Sequence, residues 1–91
     1  MHTFLIRALH RGSGSPQPIF ACVARGSVDA AEGLVLGELH RAGWKVLEVV
    51  EPSVVRSRFP ALKRHPAVAQ VLAVARQRGL AFLVLEGDIG A

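Results

Sequence analysis

Disulfides, tyrosines and long apolar runs are all missing from this sequence. Cys22 is the one cysteine among 91 residues, there is no tyrosine, and aromatic side chains make up 5%. A lone cysteine excludes an internal disulfide and the familiar multi-cysteine zinc spacings. It gives no sign of an oxidising compartment, so a cytoplasmic location is expected. Cys22 lies within Ile19-Phe20-Ala21-Cys22-Val23-Ala24. That setting suits a small buried hydrophobe, whereas a reactive thiol wants a positive and partly open one. The four histidines, His2, His10, His40 and His65, are scattered, with no two at i+3 or i+4. No metal site and no cofactor are expected. Apolar runs such as Leu80–Leu85 have strand length and fall far short of the ~20 residues of a membrane span, so no membrane partner is expected. Met1-His2-Thr3 has neither a basic n-region nor an apolar h-region, and no signal peptide is read there.

What is present points to a folded domain. Hydrophobic residues make up 51% and charged residues 20%, which excludes a disordered chain. The length suits one domain over residues 1–91, with a modest core. The net charge of +4 is concentrated. Residues 52–66 hold Arg56, Arg58, Lys63 and Arg64 and no acid, while the other seven basic residues balance the seven acids. The whole excess therefore sits in one connector, although charged connectors are usually no more than solvated.

Thr3–Leu9 alternates loosely and reads as a strand. Arg11–Pro18 is too rich in Gly and Pro for either element, and Ile19–Ala24 is a second strand, which suggests an antiparallel hairpin with a long loop. Ser27 can cap a helix whose stripe is Val28, Ala31, Val35, Leu39 and Ala42, ended by Gly43. Gly33 and Gly37 smooth its back, where a close neighbour or plain solvent fits equally. Trp44–Val50 reads as a third strand, and Ser53–Arg58 as a short edge strand or irregular chain. Pro66 fits the first position of a second helix, with Val68, Val71, Leu72 and Ala75 inward and Gly79 as the stop. Leu80–Leu85 is the last strand, apolar on both faces. The expected core is Ile19, Phe20, Val23, Val35, Leu39, Val46, Val71, Leu72, Phe82 and Val84.

This order, β-β-α-β-(β)-α-β, fits an α+β fold. The preferred architecture is a ferredoxin-like or permuted two-layer sandwich, with two helices on one face of a mostly antiparallel sheet of four or five strands. A parallel arrangement with helices on both faces is the alternative.

The search for chemistry finds little. There is no Gly-x-Ser-x-Gly elbow, and Arg11-Gly-Ser-Gly-Ser leads into another strand and lacks the Lys-Ser/Thr of a phosphate loop. Glu51, Glu86 and Asp88 would share one end of the sheet if the third and last strands ran parallel, and paired carboxylates can do acid–base work. Phe59 alone among the aromatics lies inside the basic connector, Phe4, Phe20 and Phe82 sit in core-like runs, and Trp44 beside Lys45 fits either role. The best-supported function is a non-catalytic interaction or ligand-binding module that works as a homodimer, because two helices on one face leave an apolar face bare. The alternative is an anionic ligand or nucleic acid bound by Arg56, Arg58, Lys63, Arg64 and His65, beside a helix N-terminus that favours anions. A small enzyme with a carboxylate pair is a third, weaker reading.

Overall fold

The structure is a computed structural model that describes residues 1–12 and 14–85. Four strands, β1 (His2–His10), β2 (Gln17–Val23), β3 (Trp44–Val49) and β4 (Leu80–Val84), form one sheet in the order β3-β1-β2-β4. Every neighbouring pair is antiparallel. Three helices join them: α1 (Val28–Arg41), α2 (Pro52–Lys63) and α3 (Pro66–Arg78). The expected α+β class, antiparallel sheet and N-terminal hairpin are present.

The local signals work as their chemistry dictates. Ser27 caps α1, its Oγ accepting from the Ala30 N–H at 3.2 Å. Gly79 ends α3 at φ +91°, a left-handed conformation that costs a residue with a Cβ roughly 1–2 kcal/mol. The smooth back of α1 meets open space, since a Cβ at Gly33 or Gly37 would have no heavy atom within 4 Å.

Two expectations fail, and for linked reasons. The first concerns Ser53–Arg58, read as a short edge strand or irregular chain and in fact part of the helix α2. Pro52 sits in its first turn, where a missing N–H is harmless, and Val55, Phe59 and Leu62 follow the i, i+4, i+7 rule toward the core. Pro60 lies within the helix on its exposed side, where the carbonyl it leaves without an N–H partner can turn to water.

The second concerns the layers. α1 packs with Ile6, Ala8, Ile19, Ala21 and Val23, whereas α2 and α3 pack with Leu5, Phe20 and Cys22. These strand residues alternate, so the two groups lie on opposite faces of the sheet. The ferredoxin-like or permuted two-layer sandwich with two helices is therefore corrected to three helices on both faces. The topology explains it. β2 and β3 run parallel with β1 between them, and α1 makes that crossover on one face. β3 and β4 lie at opposite edges, roughly 14 Å apart at the ordinary strand spacing, and α2 and α3 make that return over the other face.

Of the expected core, Ile19, Phe20, Val23, Val35, Leu39 and Val71 are buried. Val46, Leu72, Phe82 and Val84 are half-buried, and Val46, Phe82 and Val84 are so because they lie on the two edge strands. Among the described residues no helix is long and apolar enough to cross a membrane.

Candidate functional site

The basic residues of the connector do not form one cluster. Arg56 and Arg58 are two positions apart on α2, about 200° around the helix, and they face different clefts. Arg56 lines a cleft of about 330 Å³ that also holds Glu32, Glu51 and His2, whose Nε2 donates to the Gly26 carbonyl at 2.7 Å. Arg58 lines a second, of about 340 Å³, with Arg7, Glu48 and Glu51. Both arginines thus line clefts that also hold carboxylates. Lys63 and Arg64 are exposed where α2 ends, a position that suits cations against the helix dipole. His65 caps α3, its Nδ1 accepting from the Ala67 N–H at 3.2 Å.

The parallel run of β3 and β4 on which the carboxylate reading was built is also corrected. β3 and β4 run antiparallel to each other at opposite edges, so their C-terminal ends lie at opposite ends of the sheet. Glu51 follows β3 at one of those ends; Glu86 and Asp88 lie outside the described residues. No group of three or more His, Cys, Asp or Glu side chains among the described residues is placed to hold a metal ion. Cys22 is buried against α3, its thiol donating to the Val71 carbonyl at 3.6 Å. Burial pushes that thiol above its ordinary range, with Arg76 opposing. A protonated, enclosed thiol is a poor nucleophile.

Two features went unread in the sequence. The first is a cleft of about 350 Å³ lined by Leu9, His10, Arg11, His40, Gly43, Trp44 and Lys45. Its residues come from the end of β1, the end of α1 and the start of β3, and the register places His10 opposite Trp44 and Leu9 opposite Lys45. The His10 and Trp44 rings meet edge to face at 4.7 Å between centroids. None of the lining residues is a carboxylate. The charge distribution along the chain hides this site, because Arg11 and Lys45 are 34 positions apart and only the strand register joins them.

The second is the outer edge of β4, which no strand pairs among the described residues. The Leu85 N–H donates to the Pro18 carbonyl and the Gly79 carbonyl accepts from Ala24, so the odd-numbered residues turn their backbone toward β2. Leu80, Phe82 and Val84 turn theirs to the open side. All five residues of β4 are apolar and half-buried. The opposite edge is different: β3 carries Lys45 and Glu48, and a register shift leaves Leu47 without a β1 partner. Charges and bulges are the ordinary means by which an edge is protected, and β4 has neither.

Compared with known proteins, the chain matches no protein-family model, and neither a curated protein nor a solved structure is significantly similar to it.

Proposed function

We propose that the chain is a non-catalytic interaction module that works as a cytoplasmic homodimer, joined through β4. The original ground for a dimer, a bare sheet face, does not hold, because helices cover both faces. The observation that carries the reading now is the unprotected apolar edge Leu80-Ala81-Phe82-Leu83-Val84. A second copy is the natural occupant, because antiparallel pairing about a two-fold axis at Phe82 matches each outward residue with another: Phe82 with its own counterpart and Leu80 with Val84. The sheet would continue antiparallel across eight strands. The flanking surfaces suit a contact. α3, the helix over β4, carries no charge from Pro66 to Ala75 and exposes Val74. On the other face α1 packs on β3, β1 and β2, and its Leu34 is 46% exposed.

The alternative, an anion-binding connector, rests on less than its sequence suggests, since Arg56 and Arg58 diverge and His65 is engaged as a cap. The carboxylate enzyme loses its premise of parallel strands.

Sedimentation equilibrium tests the reading. The account expects a concentration-dependent dimer at high micromolar protein, and a chain that stays monomeric there would overturn it.

A further inference from the structure

We infer that the cleft between α2 and the sheet binds a free α-amino acid with an apolar side chain, its carboxylate held by Arg7 and Arg58 and its ammonium by Glu48 and Glu51. On this face of the sheet α3 packs on β4 and β2, and α2 on β1, while Lys45 and Glu48 of β3 are exposed. Strand alternation and register put the lining on that one face. Arg7 is two residues from Leu5, which packs in the cluster under α2 and α3, and it stands opposite Glu48 of β3 and Pro18 of β2. The Val50 N–H donates to the Leu5 carbonyl at 2.8 Å, and Val50 packs against the same cluster, so Leu5 and Val50 form an apolar floor. Glu51, Val54 and Arg58 recur at i, i+3 and i+7, which brings them to one flank of α2 as the wall. The cleft, of about 340 Å³, is at the small end of ligand pockets and suits a single amino acid.

The charges lining the cleft are not spent on one another. Arg7 and Glu48 stand directly opposed across β1 and β3, where a cross-strand pair is the ordinary outcome. Among the described residues, however, the one ion pair is Glu38 with Arg41 on α1. Water can serve Arg7, Glu48 and Glu51, which are exposed. Arg58 is different: it is half-buried beside Val54, and its guanidinium has no acceptor among the described residues. The mixture of signs selects the ligand. A simple anion would meet Glu48 and Glu51, and a simple cation would meet Arg7 and Arg58. An α-amino acid carries both signs on one carbon, so each end finds its opposite. The arginine fork suits its carboxylate, and Val50, Val54 and Pro18 offer apolar contact to its side chain. The proposed dimer joins at β4, away from the β1–β3 side that lines this cleft, so the site does not depend on the dimer.

The test titrates the wild-type chain with L-leucine and follows its backbone amides by NMR. The expected result is a saturable shift at Arg7, Glu48, Val54 and Arg58, with an affinity in the millimolar range because exposed charge contacts each add little. N-acetyl-L-leucine lacks the ammonium and L-leucinamide lacks the carboxylate, so each should bind at least about tenfold more weakly. Glycine, without the apolar side chain, should also bind more weakly than leucine. Glu48→Gln, at an exposed position, and Arg58→Gln should each weaken leucine binding about tenfold with circular dichroism unchanged. Arg56→Gln, which alters the other cleft, should leave it in place. The inference is overturned if leucine gives no saturable shift, or if the shifts map outside this cleft. It is also overturned if N-acetyl-L-leucine or L-leucinamide binds as tightly as leucine, which would make the cleft a plain anion or cation site. Glycine binding as tightly as leucine, or a Glu48→Gln chain that keeps the wild-type affinity, would overturn it as well.

Discussion

Phe20→Ala is expected to leave the chain largely unfolded at physiological temperature. The Phe20 side chain is fully buried on β2, directly opposite Leu5 of β1 and Leu83 of β4. It belongs to the cluster in which Val55 and Leu62 of α2 meet Val68, Val71 and Ala75 of α3, so it helps to hold both helices on the sheet. Removing a buried phenyl ring costs ~3–5 kcal/mol when its surroundings cannot collapse into the space. The strands on either side fix those surroundings. A domain of this size has only about 5–10 kcal/mol to lose, and each kcal/mol lowers the melting temperature by roughly 4–8 °C. A fall of about 15–30 °C in a thermal melt followed by circular dichroism is expected, and an unchanged melt would show that Phe20 is not where the core is held. Phe82→Ala, which the apolar run 80–85 would make equally damaging, should cost roughly half as much, because Phe82 is only half-buried on the edge strand.

The second large effect is at that edge. Val84→Lys should turn the dimer into a monomer without unfolding it. Val84 points its backbone N–H and C=O to the open side, and its side chain is half-buried, so a lysine can lay its stem on the sheet and keep its ammonium in water. Across the proposed two-fold axis the new side chain would face Leu80 of the other copy, where the ammonium would lose water without gaining a partner. A burial penalty of ~2 kcal/mol counts twice in a symmetric contact, which corresponds to about a thousandfold weaker association. Sedimentation equilibrium beside the wild type reads the change. A variant that remains as dimeric as the wild type would place the interface elsewhere.

The helices α1 and α3 were legible because their ends carry direct chemistry: Ser27 and Gly43 for one, Pro66 and Gly79 for the other. The hairpin was legible from two short apolar runs around a Gly- and Pro-rich loop. α2 was hidden by Pro60 and the pair Val54-Val55, each of which argues locally against a helix, while Pro52 at its start and the i, i+4, i+7 spacing of Val55, Phe59 and Leu62 argue for one, which prevails through packing. The layering could have been inferred from β2. Ile19 to Val23 are all buried, and a strand with no polar side needs cover on both faces. Strand order was not readable, and with it went both site assignments. The carboxylates required β3 and β4 to be parallel, and the basic cleft required His10 to face Trp44, which only the β1–β3 register provides.

The central claim, that β4 is an edge made to be paired, is tested most directly by amide hydrogen exchange at Leu80, Phe82 and Val84. In a single copy these three N–H groups face away from β2 and have no strand partner among the described residues. Pairing with a second copy would give each of them a carbonyl. The account predicts that their protection rises with protein concentration in step with dimer formation, while the outward amides of the opposite edge, on β3, stay unprotected. Amides at Leu80, Phe82 and Val84 that exchange freely at high micromolar concentration, with the rest of the sheet protected, would contradict it.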